Sequence, residues 1–101
     1  MGRRGVKGLP INKLPYKVSV YINGQVLIPA QLIRKLKLEN YNYANISIEY
    51  KGNRIQIKHA RLNRTYLTAS RQFTIPKNIR EKYGIKGGDQ VTVFKIEPIR
   101  G

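Results

Sequence analysis

QVLIP at residues 25–29 and QFTIP at residues 72–76 are two copies of one pattern, 47 residues apart. In each copy the proline is followed by a segment in which apolar residues recur at helical spacing. Proline suits the first helical position because it lacks the N–H that would have no partner there, and its fixed φ already fits a helix. The pattern therefore predicts a strand followed by a short amphipathic helix, twice in one chain.

The segments around the first copy alternate between apolar and polar residues, which is typical of half-buried strands. Residues 16–22 and 25–28 are predicted to form a hairpin that turns at Asn23-Gly24, a strong type I′ signal. After the helix, the polar loop of residues 39–45 leads to a third strand at residues 46–50 and, beyond a turn, to a fourth. The helix is predicted to bury Leu32, Ile33, Leu36 and Leu38.

The second copy has the same order of elements. A hairpin of residues 66–75, turning at Ser70-Arg71, is predicted before the helix at residues 76–83. Gly84 follows where a left-handed residue would end the helix. In the last strand, residues 90–97, the apolar positions shift by one residue, which indicates a bulge or a strand covered on both faces.

Two β-β-α-β repeats, residues 16–62 and 63–98, predict a mainly β fold with two short helices. Neither repeat could bury its own apolar face, so we expect them to interleave around a pseudo-twofold axis as one small closed β-barrel. Residues 1–15 are rich in glycine, proline and cations and are predicted to form an extended basic N-terminal arm, with a disordered leader as the alternative. Residues 99–101 are a short tail.

The chain is strongly basic: 20 lysines and arginines stand against five acidic residues in a chain of 101, for a formal charge of +15. This imbalance predicts a polyanionic partner, with nucleic acid favoured over an anionic membrane because no long basic amphipathic helix is visible. No cysteine, membrane-length apolar run or signal-peptide pattern is present. We therefore expect a cytoplasmic protein, associated with nucleoid or ribosome, with no membrane partner, small-molecule substrate, cofactor or metal.

No arrangement of residues for catalysis is found in the sequence. It has one histidine, no cysteine nucleophile and no pair of carboxylates at a useful spacing. The histidine, His59, extends the apolar face of the fourth strand and is interpreted as a strand residue rather than a ligand. The chain is predicted not to be an enzyme.

Four short segments of the second repeat follow one another in a recognisable series: Phe73-Thr74-Ile75-Pro76, Ile79-Arg80, Tyr83-Gly84-Ile85 and Gly88-Asp89. This series resembles the AbrB/SpoVT/MazE swapped-hairpin family. The first repeat is similar more loosely, because Lys37 stands where the cap glycine belongs and no Gly-Asp pair follows. Together the two matches cover residues 17–97.

The resemblance implies a barrel that family members usually build from two copies of a shorter chain. Because both copies lie in one chain here, it implies a monomeric pseudo-dimer. Most members are DNA-binding regulators or antitoxins, and they contact DNA largely through basic residues of the first hairpin turn and the helix. Carried over to this sequence, those positions are Arg34, Lys35, Arg71 and Arg80.

Further cations surround the predicted helices and the arm, and we interpret them as phosphate contacts rather than as a solvated surface. Tyr41 and Tyr43 lie in an asparagine-rich loop and are candidates for stacking on unpaired bases, whereas Tyr50, Tyr66 and Tyr83 fall on core-facing positions. The predicted nucleic-acid-binding set is Arg3, Arg4, Lys7, Arg34, Lys35, Lys37, Arg71, Lys77, Arg80 and Lys82. Another group follows the third and fourth strands: Lys51, Arg54, Lys58, Arg61 and Arg64.

The predicted function is non-enzymatic binding of double-stranded DNA in a transcription-regulatory or architectural role, through backbone phosphates. The alternative is an rRNA-binding structural protein of an archaeal ribosome, which charge on every face and the basic arm would favour. A third hypothesis, an antitoxin-like interaction module, would need a toxin-binding extension after the last strand.

Overall fold

The computed structural model describes residues 13–65 and 68–100. Within them the chain is mainly β with two short helices, as the sequence predicts. Neither of these helices is long and apolar enough to cross a membrane. In chain order the elements are β1 (Tyr16–Ser19), β2 (Gln25–Ile28), α1 (Ala30–Lys35), β3 (Tyr43–Tyr50), β4 (Asn53–Arg61), β5 (Asn63–Arg64), β6 (Arg71–Thr74), α2 (Lys77–Tyr83) and β7 (Gln90–Ile99).

The strands form two antiparallel sheets. Four strands lie in the order β1-β7-β3-β4, and three lie in the order β2-β6-β5. The predicted closed barrel is not seen in the described residues, where the strands form two separate sheets. The chain passes from one sheet to the other at the turn at Asn23-Gly24, where the Gly24 N–H bonds the Tyr21 carbonyl over 2.8 Å, and again at Leu62 between β4 and β5.

The central strands pair across the two halves of the chain. β2 pairs with β6, so that Gln25 lies opposite Thr74 and Leu27 lies opposite Gln72. β3 pairs with β7, and β1 and β4 lie on the two outer edges of that sheet. β1 therefore pairs with β7 and not with β2, so the predicted pairing of the first hairpin is wrong and only its turn is formed. This turn, residues 21–24, is termed the tip of the first hairpin. The two copies of the repeated pattern thus pair with each other, and this pairing connects the two halves of the chain.

The strand before β6 differs from the prediction. Residues 66 and 67 of the predicted hairpin lie outside the described residues, and Thr68 and Ala69 are not in a strand. β5 takes this place instead, with Asn63 opposite Gln72. Only Leu62 separates β4 from β5. The last strand of the first repeat therefore continues directly into the first strand of the second hairpin, which consists of β5 and β6.

The two helices begin in the same way. Pro29 and Pro76 directly precede α1 and α2, one position earlier than predicted, and both have an extended backbone with ψ of 150° and 147°. Each proline carbonyl accepts an N–H over 3.0 Å, from Ile33 in α1 and from Arg80 in α2. The prolines therefore start the helices through their carbonyls, and their missing N–H groups cost nothing there.

Both helices also end at a left-handed residue. Gly84 has a φ of 72°, which confirms the predicted cap, and Lys37 at the equivalent place in the first repeat has a φ of 57°. The next residues, Leu38 and Ile85, each donate an N–H over 2.9 Å to the carbonyl five residues earlier. This bond is typical of a Schellman cap, so lysine and glycine hold the same geometry in the two repeats.

Aliphatic side chains from both sheets and from α1 form one core, in which Phe73 is the largest fully buried side chain. The prediction for α1 is confirmed: Leu32, Ile33 and Leu38 are fully buried, and Leu36 packs partly buried against them. This core fixes the position of the two helices, and hence of the cations that they carry.

Tyr50 and Tyr83 pack as predicted, whereas Tyr66 lies outside the described residues. The buried Tyr50 hydroxyl donates a 2.8 Å hydrogen bond to the Asp89 carboxylate, which also accepts the Lys86 N–H over 2.8 Å. The Lys86 N–H and then the Tyr50 hydroxyl lower the pKa of Asp89, and the same contact with Asp89 raises the pKa of Tyr50. The turn before β7 is thereby tied to the end of β3.

Candidate nucleic-acid interface

The predicted cations lie in different environments. Arg3, Arg4 and Lys7 lie outside the described residues, which contain the other 17 of the 20 lysines and arginines. Of the remaining predicted set, Arg71 is buried and Arg80 is half-buried. The others are exposed on or beside the helices: Arg34, Lys35, Lys37, Lys77 and Lys82.

Arg71 is not in the exposed turn that the sequence predicts. It is the first residue of β6 and is only 4% exposed. Its guanidinium donates to the carbonyls of Ala69, of Ser70 (3.1 Å) and of Glu39 (3.2 Å). Burial and then the nearby Arg64 lower the pKa of Arg71. Because carbonyl oxygens engage its donors, Arg71 joins the loop before β6 to the segment after α1, and we assign it no phosphate contact.

Arg80 joins α2 to the tip of the first hairpin. Its Nε donates to the Ile75 carbonyl over 2.9 Å. Its guanidinium lies against Gly24, where a Cβ would be only 2.7 Å from the arginine Cζ. The Gly24 carbonyl in turn accepts the Ile75 N–H over 2.9 Å. These contacts fix the guanidinium at the junction of hairpin and helix.

A cleft of about 370 Å³ beside α2, termed the α2 cleft, brings three cations together. Two of them, Lys77 and Arg80, belong to the predicted set, and the third is Lys86. Lys82 does not line the cleft, and its ammonium lies 5.5 Å from the centre of the Tyr83 ring. The full lining is Lys77, Arg80, Glu81, Gly84, Ile85 and Lys86.

The tip of the first hairpin presents an apolar side chain beside the α2 cleft. Ile22, which the alternating pattern assigns to a half-buried strand, is 93% exposed. The Gly88 N–H bonds the Val20 carbonyl over 2.7 Å, so the tip is held against the turn that follows α2. At Gly87 a Cβ would lie 2.7 Å from the Ile22 Cα, so the two backbones are in close contact. The backbone that carries the exposed isoleucine is therefore held against the turn that follows Lys86.

A second cleft, of about 500 Å³, is termed the tyrosine cleft. It brings both predicted stacking residues, Tyr41 and Tyr43, together with the predicted phosphate-binding residue Lys37. Its full lining is Lys37, Asn40, Tyr41, Asn42, Tyr43, Ile99 and Arg100. Two rings, two cations and two amides thus converge where the four-stranded sheet ends.

Lys37 reaches this cleft from a strained backbone. Its φ of 57° is in the left-handed region, which costs an L-residue roughly 1 kcal/mol and costs glycine little. Gly84 shows that glycine serves the same cap in the second repeat. In the first repeat a lysine therefore stands at a position that suits glycine, on the wall of the cleft.

The two tyrosines of the cleft are not equivalent. Tyr41 packs partly buried against the core. Tyr43 is not in the predicted loop but begins β3, and its ring lies on the outer face, meaning the solvent-facing side of the four-stranded sheet. Arg61 donates to the Tyr43 hydroxyl over 3.3 Å, and the His59 ring centre lies 6.3 Å from the Tyr43 ring centre.

Phe94 is an aromatic residue of the outer face that sequence reasoning did not assign to a site. The register of β7 against β3 shifts between Ser47 and Ile48, so of the two predicted alternatives the structure has the bulge, and Phe94 lies outside the core. The Arg54 guanidinium lies over its ring, 4.1 Å from the centre. The one-residue shift in the apolar pattern of residues 90–97 was the signal that could have identified it.

Few of the described cations are neutralised by acids. The ion pairs formed within residues 13–65 and 68–100 join Arg54 to Glu49 (3.9 Å) and Lys95 to Glu97 (3.0 Å), and both are exposed. Pairs of this kind contribute little to stability. The positive potential of the surface is therefore largely uncompensated.

No family model, no curated protein and no solved structure matches the chain. Across the part of the chain that the structure describes, no group of three or more His, Cys, Asp or Glu side chains could hold a metal ion. Function is therefore inferred from the geometry and charge of the site.

Proposed function

We propose that the protein is a non-enzymatic, nucleoid-associated protein that binds double-stranded DNA through its phosphates, in a regulatory or architectural role. The observation that carries this proposal is the uncompensated charge. All described lysines and arginines except Arg54 and Lys95 lack an ion pair. Releasing the counterions that DNA condenses is the main source of phosphate-directed affinity, and it needs free cations of this kind.

The finer proposal on the fold is a single-chain relative of the AbrB/SpoVT/MazE barrel. The pairing of β2 with β6 and of β3 with β7 supports it, as do the matching starts and caps of the two helices. In this proposal each half of the chain takes the place of one subunit of a homodimer, so the protein is a monomer. Light scattering after size exclusion should give the mass of one chain, 11.6 kDa. A stable dimer would contradict the pseudo-dimer.

The α2 cleft and the hairpin tip form the proposed contact with duplex DNA. Lys77 and Lys86 act as point charges on phosphates, and Arg80 adds a guanidinium already oriented by the Ile75 carbonyl. Beside them the exposed Ile22 is placed to enter a groove, as apolar side chains of minor-groove binders do. A basic cleft with a fixed apolar tip fits a duplex better than a flat charged surface would.

Salt-dependent titration of labelled duplex DNA tests this assignment. The double variant Lys77→Ala/Lys86→Ala should bind more weakly, and the slope of log K against log salt should become shallower by about 2, close to 0.9 for each phosphate that is no longer neutralised. Lys95→Ala is the matched control, because it removes an exposed cation that is paired with Glu97 on β7. An equal loss in Lys95→Ala, or no loss in the double variant, would exclude the α2 cleft as the contact.

A second candidate, a structural role on rRNA, is favoured by the spread of the cations. Lys37 and Arg100 line the tyrosine cleft and Arg61 lies on the outer face, all away from the α2 cleft. A protein that is surrounded by folded RNA can use cations on every side. Competition between labelled duplex DNA and a structured RNA at two salt concentrations separates the candidates. Release of the protein from DNA by RNA at the higher salt would favour the ribosomal role.

A further inference from the structure

We infer that the outer face of the four-stranded sheet is a second binding surface, one that takes the unpaired bases of a single-stranded nucleic acid. This goes beyond the duplex contact at the α2 cleft and does not depend on it. The inference rests on two rings, Phe94 and Tyr43. Each is half-buried, each lies outside the core, and each has an arginine guanidinium beside it.

Tyr43 faces outward by the regular alternation of β3, and two β-bulges place Phe94 and His59 on the same face. The first is the register shift of β7 against β3, which places Phe94 on the outer face. The second lies between β3 and β4, where His59 adopts a φ of 54° and donates its N–H over 3.0 Å to the Asn45 side chain. It brings the His59 ring next to Tyr43. Bulges that re-aim a side chain are common beside functional sites.

The spacing of the rings fits a short length of single strand. Tyr43 and Ser47 are four residues apart on β3, and Phe94 lies at the register shift beside Ser47. At about 3.3 Å per residue, the two rings are roughly 13 Å apart along the sheet. A single strand of a few nucleotides is long enough to cover this distance, and the site sizes of single-strand-binding folds begin at roughly 4 nucleotides.

The charge of the outer face selects nucleic acid over an apolar protein partner. Its two acids, Glu49 and Glu97, are both engaged in ion pairs. The exposed contact of Arg54 with Phe94 is weak enough for the arginine to move onto a phosphate or a base when a strand binds. The bases of an intact duplex are stacked on one another, so only unpaired bases can use the freed rings. The cations of this face are Lys17, Arg54, Lys58, Arg61 and Lys95.

The test is a titration with a labelled pyrimidine oligonucleotide about 12 nucleotides long, at about 150 mM salt so that nonspecific attraction is reduced. Phe94→Leu keeps an apolar side chain under Arg54 but removes the flat ring, and it should weaken binding about tenfold. Tyr43→Leu should have a similar effect, whereas Tyr43→Phe, which keeps the ring, should stay within about twofold of the wild type. The duplex affinity of Phe94→Leu should be unchanged.

Ser19→Ala is the matched control, because Ser19 is exposed at the opposite edge of the same face and carries neither ring nor charge. It should bind the oligonucleotide as the wild type does. The inference would be overturned if the wild type does not bind the oligonucleotide, or if Phe94→Leu binds it with unchanged affinity. It would also be overturned if Phe94→Leu lost single-strand and duplex affinity equally, since the ring would then support the fold rather than a base. Loss of duplex binding in Lys77→Ala/Lys86→Ala with the single-strand affinity retained would separate the two surfaces.

Discussion

The guanidinium of Arg80 occupies the space that a side chain on Gly24 would need. A Cβ at Gly24 would lie 2.7 Å from both Cζ and Nε of Arg80. Moving the Arg80 side chain away would break the hydrogen bond from its Nε to the Ile75 carbonyl, which is 2.9 Å long. The absence of a side chain at the hairpin turn thus allows a cation of α2 to sit beside the hairpin tip.

The first prediction concerns this contact. Gly24→Ala should destabilise the protein by about 2 kcal/mol, since it combines the cost of a positive φ with displacement of Arg80. Gly52→Ala is the control, because Gly52 has nearly the same φ, +81°, and nothing within 4 Å of its Cβ position. It should cost only about 1 kcal/mol. Urea denaturation of both variants measures the difference. Equal losses in the free energy of unfolding would mean that the Arg80 side chain moves aside at no cost.

A second prediction is a trade-off at Lys37. Lys37→Gly should raise the free energy of unfolding by about 0.5–1 kcal/mol, because glycine accepts the left-handed cap without strain. The same variant should bind structured RNA more weakly, because it removes a cation of the tyrosine cleft, on which the second candidate function rests. Lys37→Ala separates the two effects, since it loses the charge but keeps a strained backbone. Lys37→Ala should therefore bind more weakly with no gain in stability. Unchanged affinity in both variants would show that Lys37 is not part of the binding surface.

A third prediction concerns acid stability. The folded protein lowers the pKa of Asp89, so the ionised carboxylate favours folding at neutral pH. That contribution is complete above the ordinary carboxylate pKa of about 4 and is lost as the pH falls through the lower, folded value. Asp89→Asn should therefore be less stable than the wild type at pH 7 and should lose less stability on acidification. Denaturation curves at about pH 7 and about pH 2 measure this, and parallel losses in both proteins would show that Asp89 is not responsible.

A fourth prediction concerns the single acid of the α2 cleft. Glu81 lies among Lys77, Arg80 and Lys86 and opposes their attraction for a phosphate. Glu81→Gln should strengthen duplex binding severalfold at low salt, with the gain shrinking as salt screens the charges. Glu39→Gln is a suitable comparison, because Glu39 is also exposed but does not line this cleft. Equal gains in the two variants would indicate a general effect of net charge.

The local pattern was sufficient to predict most elements of the fold. Proline before an apolar helical segment located α1 and α2, Gly84 was identified as a cap, and the apolar shift in the last strand predicted its bulge. These features depend on neighbouring residues and follow from backbone sterics. The continuation of β4 into β5 was missed because it depends on which distant strand pairs with Asn63.

The structure separates the members of the predicted cation set from one another. Lys77, Arg80 and Lys37 were named from charge and position, and they line the two clefts. Arg71 is indistinguishable from them in sequence, and only the carbonyls that surround it in the fold show that its donors are engaged. Phe94 was overlooked because an aromatic residue in a strand is usually packed in the core.

The most direct test of the central claim is an NMR titration of the isotope-labelled protein with duplex DNA. If the α2 cleft and the hairpin tip hold the duplex, the largest amide shifts should fall at Ile22, Lys77, Arg80 and Lys86, while Thr92 on the outer face should move little. Absence of any shift at moderate salt, or shifts confined to the outer face, would contradict duplex binding at this surface.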